Sequence, residues 1–179
     1  TEYRIYMFGI DEQTGEINTE VTFSDVFTTP APKVSESYIT INTDNYFDGF
    51  EVVKEYPNEF ADADGWAVLP LEVEIHGDVV EYYYDVYVGD VTDTTYPTDD
   101  EIILDLAQYG KHNEPMTYSY CYFYEPLTLI YFSKDSDDNN SVVTRVPLYF
   151  DPENCTDMSQ FPFNAAKATA YKAERKFVK

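Results

Sequence analysis

Histidine is the usual proton carrier near neutral pH, and this chain of 179 residues has two, His76 and His112. Each stands beside Gly or Asn in turn-like text. Neither forms the H-x-x-x-H or H-E-x-x-H spacing that presents two imidazoles to one metal, so both read as solvent-exposed turn residues. Cys121 and Cys155 lie too far apart in sequence for a metal knuckle. One disulfide and two free buried thiols both fit, and free thiols are the favoured reading. No G-x-S-x-G elbow or Cys-His signature is present. Glycoside hydrolysis needs only two acids roughly 5–10 Å apart, and with 34 acids such a pair arises by chance. A hydrolase with paired carboxylates is therefore kept as an alternative, and strand acids such as Glu72, Glu74 and Asp85 are expected to face solvent.

Two constellations carry more chemistry. In KDSDDNNS, Asp135, Asp137 and Asn139 occupy positions 1, 3 and 5 of a calcium-loop pattern, with Ser141 at position 7. The pattern departs at position 6, where Asn140 replaces Gly, and at position 12, where Val146 replaces a bidentate Glu. A hairpin turn rich in Asp and Asn for conformational reasons is the competing reading. The second constellation is aromatic. Tyr83 and Tyr87 share a strand face with Glu81 and Asp85, and open rings beside acids suit a sugar or a peptide. With Trp66 they form the candidate ligand-binding set; a face packed under a loop or helix is the alternative. No cofactor is expected.

The partners are bounded by charge. Acids outnumber the 11 bases to give a formal charge of −23. The last thirteen residues hold Lys167, Lys172, Arg175, Lys176 and Lys179 against Glu174, so the rest is more acidic still. Such a body repels phosphate backbones, which argues against nucleic acid. The apolar residues come in short runs, none near the roughly 18–20 of a membrane helix. The 18 Tyr and 12 Phe, with abundant Val and Thr, favour pleated, half-buried surfaces.

The elements that would position these residues are mostly strands. Residues 1–29 read as a hairpin turning at Gly15, followed by a linker containing Pro30 and Pro32. YITINT at 38–43 is a short strand, and GFEVVKEY is read as a further edge strand. In WAVLPLEVEI, Ala67, Leu69, Leu71, Val73 and Ile75 share one face by period 2. In EYYYDVYV, Tyr82, Tyr84, Val86 and Val88 do the same. One helix is predicted over 98–109. Thr98 and Glu101 form its capping box, Ile102, Ile103, Leu106 and Tyr109 its apolar stripe, and Gly110 its stop. It is expected to be the only substantial helix of its module and to cover a sheet edge or an open sandwich end. MTYSYCYFYE, LTLIYFSKD and SVVTRVPLYF read as strands. The tail NAAKATAYKAERKFVK fits a helix or a strand.

An internal repeat links the two ends of this series. YRIYMFGID at 3–11 lies over LTLIYFSKD at 127–135, matching Ile5 to Leu129, Phe8 to Phe132 and Asp11 to Asp135. Each continues through a polar turn into a strand ending in an aromatic, Phe27 or Phe150. TEYRIYMFGIDEQTG with its closing FTT resembles the final two strands of fibronectin-III-like modules in surface lipoproteins of gut Bacteroides-type bacteria. Residues 66–150 resemble a complete module enlarged by the helix.

The expected fold is therefore mainly β, a fibronectin-III-like (Ig-like) sandwich with one inserted helix. Residues 1–32 would be the C-terminal hairpin of a preceding module plus linker, and residues 33–179 the sandwich module. The resemblance implies an extracytoplasmic, cell-surface or outer-membrane-anchored location and a non-catalytic binding or spacer role. The partners it implies are a glycan or a protein, and the hairpin offers a route to a homo-oligomer. A carbohydrate-binding module using the exposed tyrosines is the first alternative.

Overall fold

The computed structural model describes residues 2–28, 32–163 and 170–177, and the chain divides into two compact units, Thr1–Lys33 and Val34–Lys179. The first unit is a hairpin. Strands β1 (Glu2–Tyr3) and β2 (Tyr6–Met7) run out, and β3 (Thr22–Phe23) and β4 (Phe27–Thr28) run back. Glu2 pairs with Thr28 and Tyr6 with Phe23, and an isolated bridge joins Ile10 to Ile17. Gly15 takes the positive φ of +72° that the turn reading requires.

The second unit continues with β5 (Tyr38–Ile41), β6 (Phe47–Asp48), α1 (Gly49–Glu55), β7 (Ala67–His76), β8 (Val79–Val88) and α2 (Asp99–Tyr109). It ends with β9 (Lys111–His112), β10 (Met116–Cys121), β11 (Leu127–Asp135), β12 (Thr144–Leu148) and β13 (Ala170–Lys172). One sheet runs β13-β10-β7-β5, with β6 also on β7; the other runs β12-β11-β8-β9. Pairing is antiparallel except for β13 on β10. Consecutive strands β7 and β8 lie in different sheets although only Gly77 and Asp78 join them. Gly77 makes that crossing at φ +82°, and a Cβ there would press on Ser37.

The alternation of β7 and β8 sets the inner core. Ala67, Leu69 and Leu71 meet Tyr82, Tyr84 and Val86 between the sheets, joined by Leu127, Leu129 and Tyr131. Ile75, at the far end of β7, is half exposed. The outer faces are also covered. On the first sheet, Val68, Tyr118 and Tyr120 pack against Phe47, Val52, Phe60 and Phe161. On the second, Tyr83, Tyr87, Ile130 and Phe132 pack against Ile102 and Leu106 of α2. Burying those two helix side chains stabilises by about 1.5–3 kcal/mol each.

Both helices owe their position to local chemistry. The Thr98 side chain accepts the Glu101 amide at 3.4 Å, and the Glu101 carboxylate accepts the Thr98 amide at 2.8 Å, which is the capping box read from the sequence. Ile102 and Leu106 are buried and Ile103 partly so, while Tyr109 stays exposed. The helix lies on the face of the second sheet, not on an edge or open end, because the aromatic outer face of β8 and β11 is what its stripe can bury.

GFEVVKEY, expected as an edge strand, is instead largely α1. Asp48 caps it by accepting the Phe50 amide at 3.0 Å, and Val52 turns into the core. A Cβ at Gly49 would overlap the carbonyl oxygens of Ala63 and Trp66, so only glycine starts a helix this close to that loop. Residues 98–109 are thus not the only helix of the unit.

Arg145 on β12 fixes the connection into α2. Its side chain is 4% exposed and donates to the carbonyls of Val91, Asp93 and Pro97 at 3.0, 2.7 and 2.8 Å. It also pairs with Asp99 at 2.6 Å. Of the tail, Ala170–Lys172 form β13, a strand; 164–169 and 178–179 of that segment and the linker residue Pro30 lie outside the described residues.

Candidate functional site

The two tyrosines proposed as an open platform are buried. Tyr83 is 9% exposed and Tyr87 fully covered, because α2 and the tail cover the outer face that β8 shares with β11. Tyr83 stacks between His112 and Phe132, with ring centroids 4.6 and 5.1 Å away. Its hydroxyl donates to Glu81 at 3.1 Å. Tyr87 stacks on Phe177 at 5.1 Å and donates to Asp105 Oδ2 at 2.5 Å. Trp66 is half-buried on the other sheet, 4.5 Å from the Tyr122 ring and under the Lys172 ammonium at 5.2 Å. Trp66 packs with the cluster under α1 and the two tyrosines with the cluster under α2, so the three share no surface.

Asp135, Asp137 and Asn139 are brought together, but as a turn. Asp135 Oδ1 accepts the amides of Asp137 and Asn139 at 3.0 and 2.9 Å. The Asn139 side-chain amide donates to both Asp135 oxygens at 3.1 Å. Asn139 therefore offers Asp135 its nitrogen, whereas a calcium ligand must offer oxygen. The Asn139 backbone amide, with further turn hydrogen bonds, holds the Asp135 carboxyl down to about 2 against opposing desolvation. Among the described residues no group of three or more His, Cys, Asp or Glu side chains converges as a metal site would require.

The densest polar constellation lies elsewhere, in a cleft of about 470 Å³ where β8, α2, β9 and the tail meet. Asp85, on β8, is 6% exposed and not solvent-facing as its alternation suggested. One of its oxygens accepts the Val86 amide at 2.9 Å, and the other pairs with Arg175 at 3.2 Å. Arg175 also pairs with Asp105 of α2 at 3.2 Å and donates to the Tyr109 carbonyl at 2.6 Å. Its guanidinium lies over the rings of Tyr87 and Tyr109 at 5.6 and 5.5 Å.

The Lys111 ammonium sits 3.9 Å above the Tyr171 ring. Burial pushes the Asp85 carboxyl above the ordinary carboxylate range despite the opposing pull of Arg175. Burial also raises the Tyr171 hydroxyl well above its ordinary range. Chemically this is a guanidinium clamp between two carboxylates. It ties the tail to a sheet and to a helix.

Sequence reasoning missed this cluster, and the usable signals were faint. Asp85 stands between Tyr83 and Tyr87 on the face that the α2 stripe must cover, and Arg175 is the one arginine in a lysine-rich tail. The histidines occupy strand ends and not free turns. His76 Nε2 lies 3.0 Å from the Thr40 hydroxyl, and its ring stacks on Tyr38 at 4.7 Å; His112 lies in β9 against Tyr83. Glu72 and Glu74 are exposed as expected. Both cysteines are free, Cys121 buried and Cys155 partly so. Burial pushes their thiols up to about 12 and about 11. Comparison with family models, with curated proteins and with solved structures finds no match.

Proposed function

We propose that the chain is a non-catalytic binding or spacer segment of an extracytoplasmic surface protein, built from fibronectin-III-like modules and needing no cofactor. The observation that carries this is the strand order of the second unit. Lettering β5, β7, β8, β10, β11 and β12 as A, B, C, E, F and G puts A-B-E in one sheet and C-F-G in the other. That is the division of immunoglobulin-like sandwiches without strand D. Helices over both outer faces are this chain's own addition. In this reading residues 1–32 are the closing hairpin and linker of one module and residues 33–179 the next. The two carboxylates of the polar cluster, Asp85 and Asp105, are engaged by Arg175, Val86 and Tyr87, which favours an architectural role over a hydrolytic one. A glycan or protein partner remains the class of ligand proposed, without Tyr83 and Tyr87 as its platform.

Fold alone does not give function, so the test is cellular. Intact cells of the producing organism are treated with a membrane-impermeant amine-reactive biotin, and the chain is recovered with an antibody. The proposal expects labelling of the exposed Lys54 without lysis. Labelling only after lysis would overturn it.

A further inference from the structure

The two hairpins of the chain are built alike but covered differently. With Tyr3 laid on Leu127, the two hairpins hold a pair at the same place, Tyr3 with Phe27 and Leu127 with Leu148, the first hairpin pairing one residue further at Glu2 and Thr28. Both close on an isolated bridge just before an aspartate, Ile10 to Ile17 and Lys134 to Asn140. In both, that aspartate caps the turn: Asp11 accepts the amides of Gln13 and Thr14 as Asp135 accepts those of Asp137 and Asn139. Each turn then uses one positive φ, at Gly15 and at Asp138.

β11 has β8 paired along its second edge from Leu127 to Asp135, and both its faces are packed. Leu127, Leu129 and Tyr131 are 1, 0 and 7% exposed, and Ile130 and Phe132 are 0%. Their counterparts Tyr3, Ile5, Met7, Tyr6 and Phe8 are all at least 47% exposed.

We propose that residues 2–28 are the last strand pair of a second sandwich, completed by a strand-rich segment that precedes them in the same polypeptide. One strand of that segment runs antiparallel along residues 3–11, as β8 runs along β11. An apolar sheet faces Tyr3, Ile5 and Met7, and a further element covers Tyr6 and Phe8. The proposal rests on the modular reading above and names the partner of its hairpin.

Area and charge support this occupant. Eleven large apolar residues of the hairpin are 43–60% exposed. At about 150–250 Å² for a large side chain, they present about 1,000 Å². A stable interface buries about 800 Å² per partner, so the surface is large enough to hold a permanent one. A second copy of the hairpin is a poor complement, since it can cover one face of Tyr3–Phe8 but not both. Its charge also repels its like, with six acids in residues 1–28 against Arg4 alone.

Hydrogen-exchange mass spectrometry on the natural polypeptide and on the 179-residue chain, each over a range of concentrations, tests this. The amides of residues 3–10 should exchange at least about a hundred-fold more slowly in the natural polypeptide, approaching β11, and fast in the 179-residue chain throughout. Protection in the 179-residue chain at every concentration would mean docking within the chain, and protection rising with concentration would mean a second copy. Either overturns the proposal, as does fast exchange in both proteins or a natural polypeptide with no strand-rich segment ahead of Thr1. Surface labelling is read independently, so failure here leaves the cellular reading of the second unit standing, and the reverse.

Discussion

Replacing Arg145 with Met keeps much of the side chain's length but removes its guanidinium. Three loop carbonyls and Asp99 then lose their donor. Hydrogen bonds from a charged group contribute about 1.5–3 kcal/mol net where the donor is buried, and water can still reach Asp99. Arg145→Met should therefore lower unfolding free energy by about 2–3 kcal/mol in urea titrations. Lys54 makes a comparably close pair with Glu51 at 3.1 Å, but both ends are in solvent. Lys54→Met should stay within about 0.5 kcal/mol of the parent.

Burial, not distance to a partner, separates these two ion pairs, and burial is what a sequence states least directly. The cysteines follow the same logic. With both thiols held well above their ordinary range by burial, a disulfide-exchanging thiol reagent at pH 8 should find Cys121 silent and Cys155 slow in the native protein. Unfolding in guanidinium should release two thiols at once. A fast native reaction at Cys121 would contradict its place in the inner core.

At the scale of elements, α2 was legible because its signals are local. A capping pair three residues apart and a stripe at helical spacing are readable without tertiary knowledge. Thr98→Ala should cost about 1 kcal/mol by loss of the cap, measured by thermal or urea unfolding. What the stripe covers was not legible, since period 2 in β8 says that its two faces differ and not which one a helix will bury. α1 was missed for another reason. Val52 and Val53 favour strands in isolation, and only the Asp48 cap and the close approach at Gly49 decide for helix.

The Asp135 turn gives a pH prediction. Its folded-state carboxyl lies at about 2 against an ordinary 3.8. The stabilisation it contributes is complete above the ordinary value and is lost as pH falls from there towards 2. Asp135→Asn, which can still accept from the turn amides, should flatten the decline of melting temperature across that window. Melting in EDTA and in added calcium should give one midpoint, because a ligand bound only to the native state would raise it.

On the scale of the whole molecule, the second unit is two sheets packed face to face with each outer face closed by a helix. The inner face is readable from strict alternation along β7 and β8, and the repeat points to paired hairpins from the sequence alone. Tyr83, Asp85 and Tyr87, expected in the open, are all covered, and for one reason. Tyr83, Asp85 and Tyr87 lie on a face that would be solvated in a bare sandwich and here carries α2 and the tail. Asp85, Asp105 and Arg175 then serve to fasten sheet, helix and tail.

Urea unfolding of Arg175→Met at pH 7 tests it most directly. Asp85 would stay buried without its cation, so unfolding free energy should fall by about 2–4 kcal/mol with an unchanged denaturant slope. Stability equal to or above the parent would contradict the account, since residues held ready for a ligand or for catalysis are the ones whose removal relieves the fold.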